Sequence, residues 1–248
     1  MGLIGGGGSI LSVPVFVYLF GFETVTATSL SLFVVGITSL VGSLSYMREK
    51  SVDYKTALLF GIPSVLGVLF SRRLVVPNLP HFIINKWGIS LTKDLFLLLL
   101  FAVLMLIASY KMIKKNQNLP QQKSENPNYT LLVSQGVLVG IVTGLIGAGG
   151  GFLIVPALVM LLGLDMKKAI GTSLFIIAIN SLLGFLSTMK MAHSDWYFLL
   201  IFTSLSIFGI LLGTTFSKKI DGKRLKPVFG WFILMMGIFI IIKEVFYH

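Results

Sequence analysis

The sequence predicts an all-α multi-pass membrane protein made of two inverted repeats, each a glycine-broken, re-entrant helical segment followed by three transmembrane helices. Three observations carry this. Of 248 residues, 55% are hydrophobic and only 12% charged, with a mean hydropathy of +0.93, whereas soluble domains average about 25% charged. Several apolar runs, among them Leu30–Met47, Leu95–Ile113 and Phe198–Phe216, reach the ~18–20 residues that a spanning helix needs. The chain also repeats itself: a shift of 142 residues aligns Gly2 with Gly144 and continues without a gap to Tyr54 against Trp196, with 24 of 53 pairs identical.

The first repeat occupies residues 1–113. It opens with GLIGGGGSILSVPV (2–15) and continues with spans expected near 25–47, 56–73 and 92–113. Residues 114–130 are polar and contain Pro and Asn, which reads as a solvent-exposed linker. The second repeat, 131–248, begins with an apolar arm, Leu131–Thr143, leading into GLIGAGGGFLIVPA (144–157); its spans are expected near 167–190, 196–216 and 226–246. In this sequence only Met1 stands ahead of the first motif. The N-terminus carries neither a basic n-region nor a small-residue cleavage site, so the first spans are expected to serve as the insertion signal.

Charge sets the expected topology, because cytoplasmic loops collect Lys and Arg. If each motif segment crosses the membrane, the 20 basic residues divide 11 to 9; if each is re-entrant, the halves are inverted and the division is 14 to 6. The asymmetry favours inverted repeats, with Arg48, Lys50, Lys55 and the linker lysines on the cytoplasmic side. The formal charge of +11 therefore reflects loop distribution rather than nucleic-acid binding.

The chemistry lies in the glycines. Non-helical backbone at membrane depth must face protein or a water-filled cavity, and inverted-repeat transporters bind substrate where broken helices meet near the midplane. Gly5, Gly6, Gly7 and Gly8, with Gly147, Gly149, Gly150 and Gly151, are the candidate backbone donors. A helix N-terminus reached through glycine attracts anions. Pro14 and Pro156 are expected in the first turn of a returning helix, fixing the break. The entering arm would point its negative end at the same place, so the exposed amides decide the sign. The predicted span interiors lack Asp and Glu, which suits an anion better than a hard cation. Gly36, Gly42, Gly184, Gly209 and Gly213 read instead as close helix packing.

The span after each motif is rich in hydroxyls. Thr24, Thr26, Thr28, Ser29, Ser31, Thr38 and Ser39 lie in the first half, and Thr172, Ser173, Asn180 and Ser181 in the second. Ser31, Ser173 and Asn180 are the candidate side-chain contacts, since an amide in mid-span needs partners. Ordinary interhelical hydrogen bonding is the alternative for each serine. Glu23, Asp165, Asp53, Asp195 and Asp94 read as span-start residues, and Trp87, Trp196 and Trp231 as interfacial anchors. With no cysteine and three scattered histidines, no metal site is expected. No nucleotide-binding or catalytic motif occurs, so neither a cofactor nor an enzyme activity is expected.

These residues resemble the TauE/SafE family of sulfite exporter-like, or four-toluene-sulfonate uptake, permeases. The likeness rests on GLIGAGGGFLIVP (144–156), on its copy at 2–14, and on AIGTSLF (169–175). The resemblance implies a plasma-membrane permease of a bacterial or archaeal inner membrane. It implies a small sulfur-containing or organic anion as substrate, such as sulfite, thiosulfate, sulfoacetate or a sulfonate. It also implies transport driven by an ion gradient, H+ or Na+, without ATP. A cation or metal-ion permease and a non-transporting scaffold stay open as alternatives. Substrate, direction and oligomeric state are not readable from the sequence.

Overall fold

The structure, a computed structural model, describes residues 8–80, 82–86, 89–113, 129–147, 150–188, 196–220 and 222–247. The helices among them are α1 (Ser9–Tyr18), α2 (Thr24–Arg48), α3 (Tyr54–Phe70), α4 (Val76–Asn78), α5 (Lys93–Ile113), α6 (Tyr129–Ile146), α7 (Gly151–Leu161), α8 (Met166–Thr188), α9 (Trp196–Lys219) and α10 (Gly222–Tyr247). A π-helical turn, Ser71–Val75, joins α3 to α4 without a break. Among the described residues six helices are long and apolar enough to cross a membrane: α2, the Tyr54–Asn78 rod, α5, α8, α9 and α10. Their positions match the expected spans, with one correction. The second span, expected near 56–73, does not stop at residue 73 but runs on to Asn78, so Arg72 and Arg73 lie inside it rather than at its end. A second departure from the all-α expectation is an antiparallel ribbon, β1 (Phe82–Lys86) with β2 (Ile89–Thr92), in register Lys86↔Ile89 and Asn85↔Ser90. Its branched residues, Ile83, Ile84, Ile89 and Thr92, are the types that favour strands.

Capping is local and follows the sequence. Asp53 caps α3, accepting from the Thr56 amide at 3.2 Å and from its hydroxyl at 3.0 Å, while its own amide donates to Thr172 Oγ1 of α8 at 3.0 Å. Asp165 accepts from the Lys167 amide at 3.3 Å ahead of α8. The duplication extends to the turns: Phe22 N donates to Phe16 O at 3.1 Å, and its counterpart Leu164 N to Leu158 O at 3.2 Å.

Between helices in lipid there is no hydrophobic drive to associate, so close contact depends on small residues and polar links. Helix α2 crosses α8 with Gly36 against Leu182, Gly184 against Leu32 and Gly42 against Leu174. The residue numbers run in opposite senses, so the two helices are antiparallel. Helices α5 and α10 are antiparallel by the same test, Gly230 meeting Met112 and Gly237 meeting Met105. Helix α6 is parallel to α3: Gly136 faces Phe60, Gly140 faces Ser64, and Gly144 faces Val68 and Ser71. A glycine every fourth residue gives α6 a bare stripe, and α3 presents Gly67, where a Cβ would lie 2.5 Å from the Val137 carbonyl. The result is backbone-to-backbone contact along three turns.

Gly36, Gly42 and Gly184 thus pack as expected, and Gly213 is buried. Gly209 corrects the expectation, because a Cβ there would meet nothing within 4 Å. Across from that position α1 and α2 leave a cavity, lined by Leu11, Ser12, Val34 and Thr38.

Candidate functional site

Helix α6 ends at Ile146 and the chain turns at once. Gly147 adopts φ +69° and Gly150 φ +78°, a left-handed conformation that costs a residue with a Cβ roughly 1–2 kcal/mol. Gly147 N still donates to Thr143 O at 2.9 Å, and Gly150 O begins α7 by accepting from Leu153 N and Ile154 N at 2.9 and 2.8 Å. In the first half Gly8, at φ +92°, does the same for α1, accepting from Leu11 N and Ser12 N at 3.1 Å. Neither N-cap glycine has a side chain to cap its helix. Gly151 is the buried first residue of α7. Gly5, Gly6, Gly7 and Gly149 lie outside the described residues, as do Trp87 and Asp195.

The prolines need correction. Pro14 is the sixth residue of α1 and Pro156 the sixth of α7, not members of a first turn. The helix starts earlier than the proline signal suggests because a left-handed glycine reverses the chain directly before it. The break is made by glycine. The prolines lie inside the returning helices, where each withholds an amide from the carbonyl four residues back.

A residue the sequence reading passed over faces the break. Arg72 is 1% exposed, held in the π-helical turn of the Tyr54–Asn78 span. Its Nη1 donates to Thr28 Oγ1 of α2 at 3.2 Å, and Thr28 passes its own proton to Val25 O at 2.8 Å. Its Nε and Nη2 are buried without a hydrogen-bond partner. A Cβ on Gly147 would collide with Arg72 Nη2 and with Thr28, so the glycine is what lets the guanidinium lie against the turn. Ser71 anchors the π-helical turn by donating to Ile141 O of α6 at 2.9 Å. Lys93, at the start of α5, donates to Val76 O and lies within electrostatic reach of Arg72.

Nε and Nη2 share one edge of the guanidinium plane. That edge is the planar fork that grips two oxygens of a carboxylate or other oxyanion side by side. Buried charges are normally paired, yet no carboxylate pairs with Arg72 among the described residues. Glu244, the buried acid of α10, is occupied by the Tyr18 hydroxyl at 2.7 Å. The 142-residue shift places Thr214 opposite Arg72, so only one half supplies this cation.

The expected side-chain contacts divide. Ser31 is fully buried with an unpartnered Oγ, one turn beyond Thr28 on α2. Ser173 donates to Ile170 O at 2.9 Å within its own helix. Asn180 donates to Ser64 Oγ at 2.7 Å, tying α8 to α3, and keeps a free Oδ1. Ser39 and Ser181 also bury hydroxyls without partners. The signal that would have found Arg72 is the apolar run Leu74-Val75-Val76 after the Arg pair, which carries the span beyond the charges. Among the described residues no group of three His, Asp or Glu side chains could hold a metal.

Known proteins of similar sequence are membrane transporters by name. The probable membrane transporter protein YunE of Bacillus subtilis is 31% identical over 264 residues, covering 98% of this chain and 93% of its own. A probable membrane transporter protein of Xylella fastidiosa is 28% identical over 250 residues, covering 97% and 89%. One from the archaeon Methanocaldococcus jannaschii is 26% identical over 254 residues, covering 97% and 90%. No solved structure matches. The family model described as sulfite exporter TauE/SafE matches residues 1–240, and the chain belongs to that family of multi-pass membrane transporters.

Proposed function

We propose that this protein is a secondary transporter that carries a small oxyanion, gripped at the second glycine break by the Arg72 fork. The observation that carries the proposal is a fully buried guanidinium with two adjacent N–H groups unpartnered and, among the described residues, no acid paired with it. Such a charge is costly within a membrane span and marks a substrate path by default. An anion that fills the fork relieves that cost while bound. Thr28 aims the guanidinium, Gly147 makes room for it, and Ser31 adds a neutral donor one turn away. A fixed positive charge at this point argues against the cation and metal-ion alternative, because it would repel the cargo.

The transport cycle we infer is alternating access between two inverted halves, with each motif segment re-entrant. The antiparallel pairs α2/α8 and α5/α10 support inversion. One core cluster that joins Leu132, near the start of α6, with Ala157 and Leu158, near the end of α7, supports a re-entrant segment. With Arg72 and Arg73 inside a span, the two sides carry 14 and 4 basic residues, which favours the assignment of the linker to the cytoplasm. The family description suggests sulfite as cargo, and we extend the reading to sulfonates and to an H+ or Na+ gradient as the drive. The test is a thermal-shift screen of purified protein with sulfite, thiosulfate, sulfoacetate, acetate and sulfate. A ligand at 100 times its Kd stabilises the folded state by about 2.7 kcal/mol, so a true substrate raises Tm by several degrees and loses that effect in Arg72→Met. If none shifts Tm, and none drives counterflow in proteoliposomes, the anion reading fails.

A further inference from the structure

Among the described residues Glu244 is the one buried carboxylate. It is 7% exposed and closes the last span, Leu225–Glu244, one turn before the end of α10. The other described acids, Glu23, Glu49, Asp53, Asp94 and Asp165, stand at helix ends and reach the surface. Glu244 is held by a hydroxyl rather than by a cation: Tyr18, the last residue of α1, donates to Oε1 at 2.7 Å. The Tyr18 ring lies 6.1 Å from that of Phe239 and has Lys243 Nζ over it, 4.3 Å from its centre. The other helices packed on α10 bring little charge to this level. The pairs Gly230–Met112 and Gly237–Met105 set the register of α5, which puts the buried Leu98 level with Glu244 and Asp94 and Lys93 about one turn beyond it. Lys93 donates to Val76 O. Helix α8 meets α10 at its far end, where Gly222 faces Met166.

Ionisable groups inside spans are costly and mark ion paths and proton relays. A buried carboxylate without a cation escapes the cost of its charge by binding a proton. Doing so changes its grip on α1, because a hydroxyl bonds an ionised carboxylate about twice as strongly as a neutral group. Helix α1 starts at Gly8, the first glycine turn. Its Ile10 and Val13 share a core cluster with Ile146 and Val155, which bracket the second turn. Loosening Tyr18 therefore acts on the packing around the Arg72 fork.

We propose that Glu244 is the proton-binding site that couples this transporter to a proton gradient, with Tyr18 as its mechanical link to α1. This rests on the transporter reading above. The carboxylate takes its proton from water at the end of α10 opposite the basic loops, Tyr18 keeps its own, and proton and anion cross together.

Proteoliposomes with the membrane potential clamped by potassium and valinomycin test the coupling. The probe is the anion among sulfite, thiosulfate and sulfoacetate that gives counterflow. A lumen one pH unit more alkaline than the outside lets one proton per anion sustain a concentration ratio of about tenfold. The parent should approach that ratio. Glu244→Gln copies the protonated form and Tyr18→Phe breaks the link, so both should retain counterflow and accumulate nothing; Lys243→Met should behave as the parent. Driven accumulation in Glu244→Gln or Tyr18→Phe overturns the proposal, as does a parent that exchanges anion but ignores the pH gradient. Loss of counterflow in Glu244→Gln makes the residue a structural tie and overturns it too. A second measurement needs no anion. A pH jump on protein adsorbed to a supported membrane should give a transient proton-binding current that Glu244→Gln abolishes. An undiminished current in that variant, or none in the parent, overturns the site whatever the fate of the anion reading.

Discussion

Replacing Arg72 separates binding from architecture. The guanidinium makes one hydrogen bond, to Thr28, and buries Nε and Nη2 unpaired. Hydrogen bonds to charged groups contribute about 1.5–3 kcal/mol each, so an oxyanion held by both N–H groups loses about 3–6 kcal/mol in Arg72→Met. At about 1.4 kcal/mol per factor of ten, affinity falls by about 10²–10⁴. Stability should move the other way or not at all. Exchanging a buried, poorly paired charge for an apolar side chain of similar volume is neutral or stabilising by up to a few kcal/mol. The expected Arg72→Met protein is folded, with a Tm equal to or a few degrees above the parent, and bound anion no longer raises it. Arg72→Lys keeps the charge but loses the fork, and should bind at least tenfold more weakly than the parent. Thermal shift with and without anion, beside counterflow in proteoliposomes, measures both quantities. Binding within threefold of the parent in Arg72→Met refutes the site. A Tm lowered by many degrees refutes it differently, by showing that Arg72 holds the fold through Thr28.

Gly147→Ala places a methyl into Arg72 and Thr28 at a left-handed φ, and should abolish transport while the protein still inserts, as judged by membrane extraction and gel filtration. Gly150→Val meets Thr143 and should do the same; unchanged uptake in either variant counts against the break as part of the pathway. Asp53→Ala removes the α3 cap and its two bonds to Thr56, costing about 1 kcal/mol, which a melting curve detects without loss of anion response. Asn180→Leu loses the bond to Ser64, an interhelical link worth about 0.6 kcal/mol on average, and should lower Tm slightly while transport persists.

The spans, the duplication and the position of the glycine turns were legible because each is written in local pattern: apolar length, a fixed 142-residue shift, and residues that fit left-handed backbone. The prolines misled because their usual place in a first turn is a statistical habit, whereas Gly8 and Gly150 start their helices five residues earlier. Arg72 was hidden for a different reason. Two adjacent arginines at the end of an apolar run look like an interfacial stop, and only the approach of α6, 60 to 70 residues further along the chain, buries one of them. Arg73, its neighbour, stays exposed. Gly209 looked like a packing glycine and lacks its partner, which no single-helix pattern can reveal.

The burial of Arg72 by α6 has a consequence for biogenesis. The span bearing the arginine leaves the ribosome well before the helix that covers it, and at about 5–20 residues per second the interval lasts several seconds. During that time the guanidinium has neither its glycine turn nor α6 beside it, and an arginine deep in a lone helix carries an insertion penalty of up to roughly 3 kcal/mol. The nascent span must therefore wait, held near the translocon or shifted toward one leaflet, until the second half arrives to enclose it. Completion of the first half depends on synthesis of the second.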